Sequence, residues 1–157
     1  MPVDLIMRPL TGDDFARART VADAWFGHPV GLTMHRLFFD QLGPGGVYAS
    51  VPEDPERMVG VLLGLRSLTE PDLAYVHFHM VDPDLRGQGI GGALYREFGD
   101  RMADAGCTRI RALAAPQRTG SVAFHRALGF DGPLIPDYLG PGQDRIVFGR
   151  ALPIPRG

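Results

Sequence analysis

The chain has 157 residues, 45% of them hydrophobic and 22% charged, with a formal net charge of −2 at pH 7. Its length suits one domain with a sizeable core, and so small a charge gives no electrostatic basis for nucleic acid or an anionic membrane as partner. No apolar run is long enough to cross a bilayer, and the opening M-P-V-D-L-I-M-R-P lacks the layout of a signal peptide.

In chain order, residues 3–9 read as a first strand. Thr11, Gly12, Asp13 and Asp14 offer helix-capping residues before the amphipathic run F-A-R-A-R-T-V-A-D-A-W-F. Gly27, His28 and Pro29 break that run, and a second helical piece is expected over 30–42. L-G-P-G-G at 42–46 is a turn. Two apolar runs, 47–51 and 58–65, flank P-E-D-P and predict a hairpin. The run A-Y-V-H-F-H-M-V, 74–81, is rich in β-branched and aromatic residues and reads as a central strand. Ile90, Leu94, Phe98 and Met102 mark one face of the next helix, which Gly106 should end. A strand follows at 109–115, then a short helix capped by Thr119 and reaching Leu128, with Gly129 just beyond and Phe130 packing back. Residues 131–144 form a Gly/Pro-rich loop and 145–152 a closing strand. The order β-α-α-β-β-β-α-β-α-β, without repeat or linker, is that of a single mixed α/β domain over 1–157.

All 16 basic residues are arginine, and the chain contains neither lysine nor asparagine. Codon bias in a GC-rich genome accounts for this. Its chemical consequence is the exclusion of Schiff-base chemistry and of a Walker-type phosphate lysine. Cys107, the single cysteine, precludes an internal disulfide and suits a reducing cytoplasm. With no basic neighbour arranged to activate it, a structural role is expected.

The stretch Arg86-Gly87-Gln88-Gly89-Ile90-Gly91-Gly92 concentrates four glycines at a helix entry. A helix start presents unpaired N–H groups and partial positive charge, which suit a phosphate. Glycines there remove obstructing Cβ atoms and tolerate positive φ. Two frames compete. Gly87, Gly89 and Gly92 match the G-x-G-x-x-G dinucleotide fingerprint, whereas Arg86, Gly89 and Gly91 match R-x-x-G-x-G. The first needs its glycine directly after the strand and an acidic residue about 20 positions later. Here D-P-D-L-R intervenes, and R-I-R-A-L-A-A at 109–115 holds no acid. A Rossmann-type oxidoreductase is therefore disfavoured. A glycine-rich helix entry that binds nothing is the bland alternative.

The block V-D-P-D-L-R-G-Q-G-I-G-G-A-L-Y and, downstream, G-S-V-A-F-H-R-A-L-G-F (120–130) resemble the central and final-helix motifs of the GNAT (Gcn5-related) acyltransferases. Arg8-Pro9-Leu10 and the hairpin at 47–65 fall in the usual order; the likeness is strongest over 74–130 and loose before residue 45. The resemblance implies an α/β fold with a central, largely antiparallel mixed sheet of six to seven strands, splayed after the fourth and flanked by about four helices. It implies acetyl-CoA as co-substrate and no metal. By resemblance, the pyrophosphate would rest on Arg86, Gly87, Gln88, Gly89, Ile90, Gly91 and Gly92, with Arg86 bracing the loop or pairing with the anion. Backbone amides of Met80 and Val81 would hold the pantetheine arm. Phe124 and Ser121 would complete the cofactor site, Ser121 replacing an asparagine that relatives carry where this chain has Arg118.

Acyl transfer to an amine needs an ammonium to lose a proton, donors for an oxyanion, and a leaving thiolate that is protonated or tolerated. Strand 74–81 carries Tyr75, His77 and His79. Period-two alternation puts these on one face and Val76, Phe78 and Met80 on the other. Histidine titrates near neutrality and suits a base. Counted from Arg86, Tyr75 falls where several relatives carry a catalytic glutamate, and His77 where serotonin-acetylating relatives carry a catalytic histidine. The resemblance thus favours His77 as base, with Tyr75 and His79 as relay or substrate contacts; packing roles for two of the three are the alternative. His125 stands where many relatives carry an acidic tyrosine and is the general-acid candidate. Trp25, Phe26 and His28, together with the loop holding Asp137, Tyr138 and Asp144, are candidate walls for the acceptor.

The expected function is an N-acetyltransferase moving an acetyl group from acetyl-CoA to the primary amine of a small molecule or peptide by direct attack in a ternary complex. A non-catalytic acyl-CoA-binding module is the alternative. No nucleic-acid or membrane partner is expected, and a homodimer is compatible with the reading.

Overall fold

Apolar periodicity and glycine stops set the order of elements. The computed structural model describes residues 3–156. It runs β1 (Ile6–Arg8), α1 (Asp14–Phe26), α2 (Arg36–Leu42), β2 (Val47–Val51), β3 (Asp54–Arg66), β4 (Leu73–Val81), α3 (Ile90–Asp104), β5 (Arg109–Ala114), α4 (Thr119–Ala127), β6 (Leu134–Ile135) and β7 (Arg145–Ala151).

Several details differ from the sequence reading: the first strand, expected over 3–9, is confined to Ile6–Arg8, and Asp13 at the N-cap of α1 makes no side-chain cap. The helical piece expected over 30–42 is divided into a single 3-10 turn at Gly31–Thr33 and α2. His35 separates them in an extended conformation, and its Nδ1 accepts the Leu37 N–H at 3.0 Å. β3 begins at Asp54 rather than 58, so the hairpin closes tightly on Val51 paired with Asp54. Thr119 makes no side-chain cap; Arg118 occupies the N-cap position. The loop 131–144 contains the two-residue strand β6, too short to leave a periodic signal. The glycine stops hold: Gly106 ends α3 at φ +102°, and after α4 Gly129 adopts φ +81° while Phe130 donates to the His125 carbonyl at 3.0 Å.

The seven strands lie in the order β1-β2-β3-β4-β5-β7-β6. Every neighbouring pair is antiparallel except β4 and β5. That parallel pair spans only Leu73–Arg109, Ala74–Ile110 and Tyr75–Arg111, after which the strands diverge. β5 goes on to pair with β7 along its full length, so the second half of β4 has one edge open. This is the splay after the fourth strand.

Two apolar cores form, one on each face. Val59, Leu62, Ala74, Val76, Ile110 and Phe148 pack with α3 residues such as Leu94 and Phe98. On the other face Val61, Leu63, Phe78 and Met80 pack with Ala18, Ala22 and Phe39 of α1 and α2. Among the described residues, β5 and β7 contribute nothing to this second core. Their outward residues Arg111, Leu113 and Val147 are only half-buried. The α1–α2 face is therefore covered over one half and open over the other.

The two cores also show where β4 departs from simple alternation. Leu63 pairs with Phe78, but the next residue, Gly64, pairs with Val76. His77 is the extra residue of a β-bulge, and it reverses the facing of everything beyond it. Val76 belongs to the α3 core, whereas Phe78 and Met80 belong to the α1–α2 core. The expectation that these three share a face is thereby corrected. Gly64 also leaves space for Phe98, since a Cβ there would lie 2.4 Å from its ring.

Candidate active site

β4 leads into a 3-10 turn at Pro83–Leu85, held by Asp82, whose carboxylate accepts the Asp84 N–H at 3.0 Å and pairs with Arg57 at 2.9 Å. The glycine loop follows. Gly87 and Gly89 adopt φ of +80° and +84°, and Gly89 is the N-cap of α3 without any side-chain cap. A Cβ at either glycine would meet no protein atom within 4 Å, so the loop's outer surface is open. Among the described residues, no backbone N–H from Gly87 to Gly92 has a protein acceptor. Unpaired donors, a helix start and an open approach make a cradle for a phosphate group.

This cradle stands at the end of the open edge of β4. Asp82 donates to the Val59 carbonyl at 2.9 Å. Alternation along the antiparallel ladder then turns the Met80 backbone onto Val61 and leaves the backbones of His79 and Val81 facing the gap. The Val81 backbone therefore faces the splay. The Met80 backbone does not, because its amide serves the ladder, and its side chain lies in the α1–α2 core.

The bulge sends the two strand histidines to opposite faces. His77 shares a face with Tyr75: its Nε2–H donates to the Thr33 carbonyl at 2.8 Å, and its ring meets Phe38 edge-on at 4.8 Å. That bond fixes the tautomer and leaves Nδ1 with the lone pair. Tyr75 Oη lies 3.3 Å from Tyr138 Oη. Burial and the Tyr138 hydroxyl push the Tyr75 phenol up to about 12, so it stays protonated. His79 faces α3 and α4, stacked on Phe124 at 5.0 Å. The expectation that Tyr75, His77 and His79 form one row is corrected to a pair and a single residue.

Residues 15–130 match the model of the acetyltransferase (GNAT) family. The chain belongs to the acetyltransferase (GNAT) family. A relative from Nocardia farcinica, named L-2,4-diaminobutyric acid acetyltransferase, is 30% identical over 103 residues, covering 58% of this chain and 53% of that protein. The chain thus spans about half the length of this curated relative. Among solved structures, Ard1 from Thermoplasma volcanium superposes with a TM-score of 0.80 at 16% identity, covering 96% of this chain and 99% of that one. Diaminobutyrate acetyltransferase EctA from Paenibacillus lautus, in complex with L-2,4-diaminobutyric acid and coenzyme A, superposes with a TM-score of 0.69 at 17% identity, covering 94% and 95%. Both share the GNAT fold.

Against this acetyltransferase frame, several side chains take unexpected roles. His125 is 2% exposed, and both its nitrogens are engaged: Nδ1–H donates to the Ser121 carbonyl at 2.7 Å and Nε2 faces the Tyr95 hydroxyl at 2.9 Å. Burial lowers its pKa and keeps it neutral. A sealed, neutral imidazole cannot protonate a leaving thiolate, so the general-acid expectation is corrected. Since His125 Nε2 then carries a lone pair, the Tyr95 hydroxyl donates to it and accepts from His79 Nδ1–H at 3.2 Å. His79 Nε2 is the chain's open end. Burial, with His125 and Arg86 nearby, pushes His79 down to about 3, so it acts as a neutral acceptor rather than a base.

Arg86 braces the loop by donating to the Trp25 carbonyl at the end of α1. Gly91 and Gly92 are helical, and their missing Cβ atoms make room for protein: the Phe124 ring would lie 2.9 Å from a Cβ at Gly91, and the Arg96 side chain 2.9 Å from one at Gly92. Phe124 is a wedge between Gly91 and His79. Ser121 contributes its carbonyl to His125, with its hydroxyl 3.5 Å from the same nitrogen. Trp25 and Phe26 pack against the α1–α2 core, whereas His28 is exposed. Cys107 is buried, which pushes its thiol up and suits the expected structural role. Sequence reasoning missed Tyr95 and Thr33. Tyr95 sits one position beyond Leu94 in the apolar stripe and reads as core; Thr33 acts through its backbone and leaves no side-chain signal. Among the described residues, no group of three His, Cys, Asp or Glu side chains could hold a metal.

Proposed function

We propose that the protein is an acetyl-CoA-dependent N-acetyltransferase acting on the primary amine of a small molecule. The carrying observation is the uncapped start of α3 at Gly89, whose free N–H groups adjoin the open edge of β4. The donor set fits the co-substrate: backbone N–H groups from Gly87 to Gly92 suit a pyrophosphate, and the Val81 backbone faces the gap where a pantetheine arm would run. Bound there, acetyl-CoA supplies the thioester whose acyl group the amine receives.

The chain's own residues divide the work between the two faces. On the α1–α2 face, His77 takes the ammonium proton at Nδ1 while the Thr33 carbonyl holds Nε2–H. Its exposed ring meets an acceptor from solvent. On the α3–α4 face, the His79–Tyr95–His125 chain presents one lone pair, at His79 Nε2, to a donor in the gap. His125 of α4 is sealed and neutral, and a departing thiolate, at a thiol pKa of about 8.5, is tolerable near neutrality. The Nocardia farcinica relative, named for acetylation of L-2,4-diaminobutyric acid, supports a small-molecule acceptor.

Thiol release from acetyl-CoA across a panel of amines tests the reading. Amine-dependent release is expected. Stabilisation by CoA without release by any amine would instead establish a binding module.

A further inference from the structure

On the face that carries His77, the narrow end of the splay is the pair Tyr75–Arg111, the last at which β4 and β5 meet. Ile110 points into the α3 core, so Arg111 points to the opposite face beside Tyr75. Its guanidinium carbon lies 5.9 Å from the centre of the Tyr75 ring. Most arginines of the chain are bonded to a carboxylate or a backbone carbonyl. Among the described residues, Arg111, Arg118 and Arg126 have neither. Arg118 and Arg126 are exposed on or beside α4, whereas Arg111 is half-buried. A partly desolvated guanidinium without an anion is costly unless a ligand completes it.

The surroundings of Arg111 are rich in donors. Tyr75 and Tyr138 place two hydroxyls 3.3 Å apart beside it, and the Tyr75 phenol is kept protonated by burial and by Tyr138. The nearest acids in the Tyr138 loop are committed to their own backbone: Asp137 accepts from the Gly142 N–H at 2.8 Å, and Asp144 from the Asp137 N–H at 2.9 Å. One guanidinium and two hydroxyls, with no acid of that loop turned onto them, suit an anion. Along β4 it stands two residues before His77, roughly 7 Å at strand spacing.

We infer that the amine acceptor carries a carboxylate held by Arg111, Tyr75 and Tyr138, and so is a short amino acid whose reacting amine reaches His77. This rests on the N-acetyltransferase reading and adds the acceptor class to it. Arg111 matches a carboxylate through its planar fork of N–H donors. The separation from His77 selects acceptors whose carboxylate and amine are a few bonds apart, such as ω-amino or diamino acids.

Matched acceptors test it: γ-aminobutyrate against propylamine, and ornithine against putrescine, each pair differing by one carboxylate. In the native protein kcat/KM for the carboxylated member should exceed that of its partner by about 10- to 100-fold, the usual worth of a charge-assisted contact. Arg111→Gln should collapse that ratio toward one, and Arg111→Lys should restore part of it. An undiminished thermal shift with CoA checks that both variants are folded. Equal use of both members by the native protein, or a preference that survives Arg111→Gln, overturns the inference and leaves the N-acetyltransferase reading standing. Failure of every amine to release thiol overturns that reading, and this inference with it.

Discussion

The hydroxyl of Tyr95 lies 2.9 Å from Nε2 of His125, and this buried bond sets the protonation of a side chain at the far end of a three-residue chain. Because Tyr95 donates there, it can only accept from His79, which is held as the Nδ1–H tautomer. Tyr95→Phe should destabilise the fold by about 1–3 kcal/mol, since two buried ring nitrogens lose their partner. Denaturant titration measures that cost. Nitrogen NMR of the imidazoles should show His79 as Nδ1–H in the native protein and as a tautomer mixture in the variant.

The same chain makes stability depend on acid. Burial lowers the pKa of both His79 and His125 in the folded protein, His79 to about 3. The unfolded chain, with ordinary histidines near 6.5, therefore binds more protons at mildly acidic pH. Stability should be complete above pH ~6.5 and fall as the pH drops, by up to about 1.4 kcal/mol per pH unit for each histidine still neutral in the fold, with the His79 contribution continuing toward about 3. Urea midpoints across that range give the slope. A flat profile would mean that both rings ionise in place.

His77→Ala should lower kcat by about 100-fold, within the usual yield of general base catalysis, and leave the KM for acetyl-CoA nearly unchanged. The two effects separate because His77 stands on the α1–α2 face, away from the glycine loop. Steady-state kinetics at saturating amine measures both. A parallel rise in the acetyl-CoA KM would move His77 into the cofactor site.

Two substitutions at Gly89 separate strain from charge. Gly89→Ala should cost about 1 kcal/mol of stability, because φ is +84° and a Cβ is disfavoured there. Gly89→Glu should carry a similar strain and weaken acetyl-CoA binding by a further factor of about 10 or more, placing a carboxylate where the helix start attracts an anion. Calorimetric titration of the two variants with acetyl-CoA, beside their melting temperatures, distinguishes the effects.

Much of the fold was legible because its signals are local. Gly106 and Gly129 stop helices where a residue of positive φ is needed, and Ile90, Leu94, Phe98 and Met102 trace the buried side of α3. The glycine loop was legible for the same reason, since Gly87 and Gly89 take the positive φ that such a helix entry needs. The chemistry of β4 was not. Alternation predicted one row of Tyr75, His77 and His79, but the inserted residue at His77 has no sequence signature of its own; it arises from pairing with β3, where Gly64 lets Phe98 approach. His125 looked like an acid because its type and position suit one, whereas burial and the Ser121 carbonyl decide its state. Arg111 gave no sign, since an arginine is unusual only once its missing partner is visible.

The bulge at His77 divides the surroundings of β4 between the two faces of the sheet. The segments that face His77, around 31–42 and 136–144, pack on the opposite side of the sheet from α3 and α4. On the N-acetyltransferase proposal, sequence change there would alter the acceptor side and leave the glycine loop on the other face unchanged. The inserted residue leaves His77 with these segments and sends His79 to α3 and α4.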